Sequence, residues 1–170
     1  MSGLLLDTNV LSEVIKKRPD SGVMERLGSV PAEDLFTSVI CVTELRYGAE
    51  RHPRGVKIWE RIESEILPRV QVLPLAMSEA LRAGDLLAAL TRRGERIGFE
   101  DVLISATALE NGLTAVTRNL KHFTRIPGLL AESWWEGSEY RPRGSPSQHL
   151  VWLQGTHLLR DLELSEAAGK

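Results

Sequence analysis

A short apolar run that ends in a carboxylate is the feature that most limits how this chain can fold. The three leucines at positions 4–6 are followed at once by Asp7, and Thr8-Asn9 then leads into a segment with apolar residues at helical spacing. Because the leucines show no polar alternation, they predict a strand that is buried on both faces, as in a parallel sheet. Polar groups at the carboxyl ends of such strands lie where open α/β folds bind ligands. We therefore predict a parallel strand over residues 4–6 with Asp7 at its functional end.

The rest of the chain predicts an alternation of strands and helices. Apolar runs predict strands at 35–38, 70–75 and 114–117, the last of which we expect to be the final strand of the sheet. Apolar residues at the spacing of one helical face predict helices at 39–50, 58–66, 78–93 and 101–111. Ser78 is the expected N-cap of the third of these helices. This alternation favours an α/β fold around a mostly parallel central sheet.

The composition changes after about residue 136. Residues 137–148 are rich in turn-forming and polar residues, which is typical of a linker, and residues 150–164 show a weak amphipathic pattern. We therefore expect one domain over residues 1–136, followed at 137–170 by a linker and a C-terminal appendage.

Charge and cysteine content exclude several classes of protein. Lys and Arg number 21 against 23 for Asp and Glu, a formal net charge of −2, whereas histone-like nucleic-acid binders need a strong basic excess. Contact with nucleic acid therefore requires a local basic patch or a bound cation. The single cysteine, Cys41, excludes an intramolecular disulfide and a four-cysteine zinc site. With no signal peptide and no apolar run of about 20 residues, a reducing, cytoplasmic protein without membrane contact is expected.

Three carboxylates occupy positions that an α/β fold brings to one edge of the sheet. Asp7 ends the first predicted strand, Glu44 lies one turn into the helix after the second, and Asp101 begins the helix before the last. Clustered carboxylates repel one another unless a cation neutralises them. Oxygen ligands of this kind favour Mg²⁺ or Mn²⁺, which can activate water toward a phosphodiester.

The residues around these acids form four ordered motifs, in the segments 4–13, 43–48, 100–108 and 116–123, which read LLLDTNVLSE, TELRYG, EDVLISATA and VTRN followed by Phe123. Together they closely resemble the PIN-domain ribonucleases, and within that family the VapC and FitB toxins of toxin–antitoxin operons. A single LLLDTN motif would be a weak signal, but four in the right order over residues 3–136 are a strong one.

The resemblance implies a PIN-like three-layer fold and a metal-dependent endoribonuclease that a small antitoxin protein holds inactive. Asp7, Glu44 and Asp101 match the family's acidic metal-site positions, and Asp7 and Asp101 are the expected direct ligands of Mg²⁺. Water activated by the metal would cleave the RNA substrate and leave 5′-phosphate and 3′-hydroxyl ends. Further residues that would line the site are Asn9, Thr117, Arg118 and Asn119. Relatives commonly form dimers, so a homodimer or a hetero-oligomer with the antitoxin is expected.

One departure from the family pattern and two other functions stay open. His122 stands where many relatives place a fourth acid, which leaves one or two metal ions possible. A PIN-like scaffold that binds RNA or an antitoxin without cutting is one alternative. A phosphatase of the haloacid-dehalogenase type also begins with an apolar strand and Asp, but it needs a second acid two residues later, where this chain has Asn9. The sequence does not identify the RNA target.

Overall fold

The protein is described by a computed structural model that covers residues 3–135, built around a five-stranded sheet. Every neighbouring pair of strands is parallel, and the spatial order is β3-β2-β1-β4-β5. The strands are β1 (Leu4–Leu6), β2 (Leu35–Ser38), β3 (Gln71–Leu73), β4 (Thr114–Val116) and β5 (Ala131–Glu132). The linker and appendage expected at 137–170 lie outside the described residues, so the proposed domain boundary stays a prediction.

Helices fill the connections between the strands. Within the described residues they are α1 (Thr8–Val14), α2 (Ser21–Ser29), α3 (Val39–Glu50), α4 (Gly55–Arg61), α5 (Met77–Arg92), α6 (Phe99–Glu110) and α7 (Leu120–Phe123). A wider helical turn over Ile62–Ile66 continues α4, so the apolar stripe predicted at 58–66 is one continuous helical path. The α/β fold with a parallel central sheet that the sequence predicts is confirmed.

The central strand β1 is buried by its neighbours, as its leucines predict. β1 pairs with β2 on one side and with β4 on the other, and the side chains of Leu5 and Leu6 are fully buried. The strand order reverses direction at β1, and right-handed crossovers from such a strand place helices on both faces of the sheet. The largest fully buried side chains form the core around it: Phe123, Leu5, Leu6, Leu11, Leu35, Leu45, Ile62, Ile104, Val10, Val23, Val102 and Val116.

The expectation that 114–117 forms the last strand is wrong, because β5 adds a further strand at the edge of the sheet beside β4. This strand has only two residues, Ala131–Glu132, too few for a recognisable apolar pattern. The buried Trp134 follows it, and its indole N–H donates to Glu132 Oε1 at 2.8 Å. The paired edge and the buried indole hold the end of the described chain against the sheet.

The described helices include none that is long and apolar enough to span a membrane.

The start of α5 also differs from the sequence prediction. Ser78 is not the N-cap but the second residue of the helix, and Ala76 occupies the cap position. Ala76 has no side chain able to accept a hydrogen bond, and Glu79 supplies the acceptor instead. Its Oε2 accepts from the backbone N–H of Ala76 at 3.1 Å, and its Oε1 accepts from the Asn111 side chain at 3.3 Å, which links α5 to the end of α6.

Replacing Glu79 therefore tests how the start of α5 is anchored. Hydrogen bonds from the Glu79 backbone amide and from the Ser78 hydroxyl lower the pKa of the Glu79 carboxyl below 4.5. A lowered pKa stabilises the fold above the pKa of the unfolded chain, and this contribution disappears as the pH falls through the folded-state pKa. Glu79→Gln should lower the free energy of unfolding by about 1 kcal/mol near neutral pH and by progressively less below about pH 4.5.

Urea unfolding of both proteins at several pH values measures this difference. Glu63→Gln, at an exposed position on the turn after α4, is the matched control and should change stability by less than about 0.5 kcal/mol. A loss for Glu79→Gln that stays constant across the pH range would contradict the assignment.

Candidate active site

The carboxyl ends of the three central strands bring the predicted acids together. Asp7 directly follows β1, Glu44 lies in the second turn of α3 after β2, and Thr117 directly follows β4. Asp101 lies in the first turn of α6, and the charges of Asp7 and Glu44 both interact with it. Sequence positions that lie far apart therefore face one site at a single edge of the sheet.

Asp7 is the buried centre of this site. It is the N-cap of α1, and its Oδ1 accepts from the backbone N–H of Thr8 at 2.6 Å. Its Oδ2 accepts from the side-chain amide of Asn9 and from the hydroxyl of Thr117, both at 2.6 Å. Only 4% of Asp7 is exposed. All these donors are neutral, so they orient the carboxylate without cancelling its charge.

This environment disfavours the charged form of Asp7. Burial, together with the charges of Asp101 and Glu44, raises the pKa of its carboxyl to about 7, although the hydrogen bond from the Thr117 hydroxyl opposes the rise. A buried carboxyl with acidic neighbours is most stable as an anion when a cation lies beside it. The electrostatics of Asp7 therefore suit a site that holds a positive ion.

Glu44 is the second acid, and Thr8 fixes its position. The Thr8 hydroxyl donates to Glu44 Oε2, while the Thr8 backbone N–H donates to Asp7, so one residue joins the two acids. Glu44 is half-buried, and its pKa is raised by burial and by the charge of Asp101. Oxygens of Asp7 and Glu44 and the sulfur of Cys41 all lie within 4.8 Å of one another.

Asp101 lies outside that tight group and has a partner of its own. Its Oδ2 lies 2.6 Å from His122 Nδ1 and 3.3 Å from the side-chain nitrogen of Asn119. The same His122 nitrogen lies 2.6 Å from the Asn119 amide nitrogen, so the three side chains form one cluster. The imidazole of His122 is therefore in direct contact with Asp101.

The predicted site-lining residues divide into two groups. Asn9, Thr117 and Asn119 hold the acids in place, because Asn9 and Thr117 donate to Asp7 and the Asn119 side chain lies against Asp101. The Thr117 hydroxyl also accepts from the Asn119 backbone N–H at 2.9 Å, which joins these residues to one another. Arg118 contributes its backbone N–H, which donates to Asn9 Oδ1 at 2.9 Å. Its guanidinium lies over the ring of Trp135, 5.6 Å from the ring centre.

The donor set fits a hard divalent cation. Asp7, Glu44 and Asp101 offer carboxylate oxygens, the ligand type that Mg²⁺ and Mn²⁺ prefer. Burial raises the pKa of the neighbouring Cys41 thiol to about 11, so it stays protonated and is a poor ligand for such an ion. The acidic cluster is therefore suited to a divalent metal bound through oxygen.

Sequence reasoning missed two features of the site. The first is Thr8, whose hydroxyl donates to Glu44 while its backbone N–H donates to Asp7. The second is the position of Cys41 beside Asp7, because the apolar neighbours of Cys41 in the sequence give no signal for that contact. The clearest available signal for Thr8 was its position directly after a strand-ending acid.

The chain belongs to the PIN-domain family, because residues 4–129 match the family's model. The fold described above is thus that of a PIN domain, as the four sequence motifs predict.

Relatives within the family indicate which class of PIN-domain protein this chain resembles. The chain is 36% identical over 138 residues to VapC ribonuclease Y4jK of Sinorhizobium fredii, which covers 78% of this chain and 98% of the relative. It is 35% identical over 136 residues to toxin FitB of Neisseria gonorrhoeae, covering 77% and 98% of the two chains. The solved structure of DNA-bound VapBC from Salmonella typhimurium matches with a TM-score of 0.72 and 34% identity, over 79% of this chain and 99% of that one. The predicted resemblance to VapC and FitB toxins is confirmed, and these relatives support an endoribonuclease of the toxin class.

The Thr117 hydroxyl gives a direct test of how Asp7 is held. Thr117→Val keeps the shape of a fully buried side chain but removes the donor to Asp7 and the acceptor for Asn119. We expect the metal-free variant to lose about 1–3 kcal/mol of unfolding free energy. Because the hydroxyl favours the charged carboxylate, the loss should be larger above about pH 7, where Asp7 is ionised, than near pH 5.

Denaturant unfolding in chelator at the two pH values measures the loss. Thr117→Ser retains the hydroxyl and is the control; its smaller loss should not depend on pH. A Thr117→Val variant with equal losses at both pH values would argue against the bond to Asp7.

Proposed function

We propose that this protein is a metal-dependent endoribonuclease, the toxin of a toxin–antitoxin module, and that Asp7, Glu44 and Asp101 hold its divalent cation. The observation that carries the proposal is the Asp7 carboxyl, buried at the end of the central strand, with a pKa raised to about 7 and two further acids beside it. A fold does not maintain such a group for stability, since a buried charge without a counter-ion destabilises it.

Each residue has a separate task in this proposal. Asp7 and Asp101 are the direct ligands, and Mg²⁺ is the expected ion because the donors are hard oxygens. A divalent cation supplies Lewis-acid polarisation of a phosphodiester and lowers the pKa of water. Glu44, held by the Thr8 hydroxyl, completes the coordination or orients the attacking water. Asn9 and Thr117 keep Asp7 Oδ2 fixed through bonds of 2.6 Å. The expected products carry 5′-phosphate and 3′-hydroxyl ends.

The proposed partners follow from the relatives. The similar solved structures include FitAcB from Neisseria gonorrhoeae, at 32% identity and a TM-score of 0.70, and DNA-bound VapBC from Salmonella typhimurium. We infer that a small antitoxin protein binds this chain in the same way and that the active form assembles as a homodimer or with the antitoxin. A free thiol at Cys41, the only cysteine, suits a reducing cytoplasm.

The site geometry disfavours the phosphatase alternative. A haloacid-dehalogenase phosphatase needs an acid two residues after its nucleophilic Asp, for general acid–base catalysis. The residue at that position, Asn9, donates its amide to Asp7 and accepts from the Arg118 backbone, so it is occupied in holding the loop. The cleavage assay with Asp101→Asn distinguishes a nuclease from a scaffold that binds RNA without cutting it.

Asp101→Asn tests the proposal directly. The substitution keeps the size of the side chain and removes one ligand charge, so cleavage of total RNA in Mg²⁺ should fall by at least about 100-fold. Wild type should cut with Mg²⁺ and not in excess chelator, and mapping of the cut ends should find 5′-phosphates.

Glu100→Gln is the matched control, since it removes the same charge from the neighbouring, exposed residue and should leave cleavage within about twofold of wild type. If wild-type protein free of antitoxin binds RNA but never cuts it, the nuclease proposal is wrong and the protein is a scaffold that binds RNA without cutting it. Cleavage that leaves 2′,3′-cyclic phosphates or persists in chelator would also overturn the proposal.

A further inference from the structure

Two basic segments of the chain could supply the local patch that a protein of net charge −2 needs to attract RNA. One lies on and after α3 and includes Arg46 and Arg51. The other combines the loop between α5 and α6 with α7 and the turn that follows it. The structure distinguishes the two by what their cationic groups already contact.

The α3 arginines are engaged by side chains of their own surface. Arg46 forms an ion pair with Glu50 one turn away, and its guanidinium lies 4.8 Å from the centre of the Trp59 ring. Arg51 lies 5.4 Å from the centre of the Tyr47 ring and donates to the Tyr47 hydroxyl at 3.0 Å. A phosphate at this surface would have to compete with an acid and two aromatic rings.

The second segment also has one competing acid, but its Arg93 and Arg125 contact backbone carbonyls rather than aromatic rings. Arg93 donates to the backbone oxygen of Arg125 at 2.9 Å, and Arg125 donates to that of Arg96 at 3.5 Å, so backbone carbonyls join the loop to the turn after α7. One acid, Glu95, lies 3.4 Å from Arg93. Arg96 and Lys121 are exposed.

This segment is also adjacent to the acidic cluster. Lys121 precedes His122, whose imidazole touches Asp101 at 2.6 Å, and the 93–98 loop leads directly into α6. Between the loop and Asp101 lies Phe99, an aromatic side chain that is 56% exposed. Cations that follow a phosphate backbone, combined with an exposed ring on which a base can stack, are the usual elements of a single-stranded nucleic-acid site.

We propose that single-stranded RNA enters the active site across the α6–α7 surface, defined as Arg93, Arg96, Phe99, Lys121 and Arg125. The cations contact phosphates that flank the cleaved bond, and Phe99 stacks on an unpaired base. This inference rests on the proposed function for its ligand, and it adds the path that the substrate takes to the acidic cluster.

The experiment measures binding of a fluorescently labelled single-stranded RNA by anisotropy, in chelator so that no cleavage occurs, across a series of salt concentrations. Arg96→Gln/Lys121→Gln should reduce the slope of log affinity against log salt by about 0.7 for each lost contact, roughly 1.4 in total. Affinity at about 0.1 M salt should fall roughly 10- to 30-fold. Phe99→Leu should weaken binding about fivefold or more without changing the slope, because stacking releases no counterions.

Arg46→Gln/Arg51→Gln is the matched control, because it removes the same two charges from the α3 surface and should leave the slope unchanged. Equal effects of the two double variants would mean that RNA binding depends only on the net charge of the protein, and they would overturn the proposed path. A larger effect at α3, or wild-type affinity without salt dependence, would overturn it as well. Metal-dependent cleavage by the wild type is measured in parallel, so a wrong path for the RNA is distinguishable from a wrong function.

Discussion

The buried carboxylate of Asp7 is the constraint on which the rest of the site depends. Neutral donors from Thr8, Asn9 and Thr117 fix both of its oxygens, but none of them supplies a positive charge. Burial and acidic neighbours therefore keep its pKa high, and the charged form is stable only beside a cation. The surrounding hydrogen bonds act mainly to orient this group, so a bound ion would find its ligand already in place.

The sheet topology explains how these groups meet. β1 lies at the centre, and its two neighbours, β2 and β4, run parallel to it, so the three strands end at the same edge. Each strand is followed there by a residue or a helix start that carries a polar group. The switch in strand order at β1 leaves room for a ligand between the two halves, which is where open α/β sheets bind one. The position of the acids is thus a property of the fold rather than of any local motif.

Local signals in the sequence predicted much of this arrangement. The leucine run before Asp7 and the helical spacing after each strand identify the elements that carry the acids, because burial and periodicity are visible along the chain. The predictions that proved wrong depend on contacts between distant segments. Glu79, and not Ser78, anchors the start of α5, partly through its hydrogen bond with Asn111. The two-residue strand β5 exists only through its pairing with β4. The imidazole of His122 on Asp101 is of the same kind, since spacing in the sequence gives no measure of a contact across 21 positions.

The bond between Thr117 and Asp7 spans 110 positions of the chain, and the contact between His122 and Asp101 completes the site later still. During synthesis from the N-terminus, the three acids therefore emerge from the ribosome before Thr117 and His122, whereas Thr8 and Asn9 emerge together with Asp7. The complete site, with Thr117 on Asp7 and His122 on Asp101, therefore forms only after β4 has joined the sheet, because non-local contacts form only after the intervening loops close.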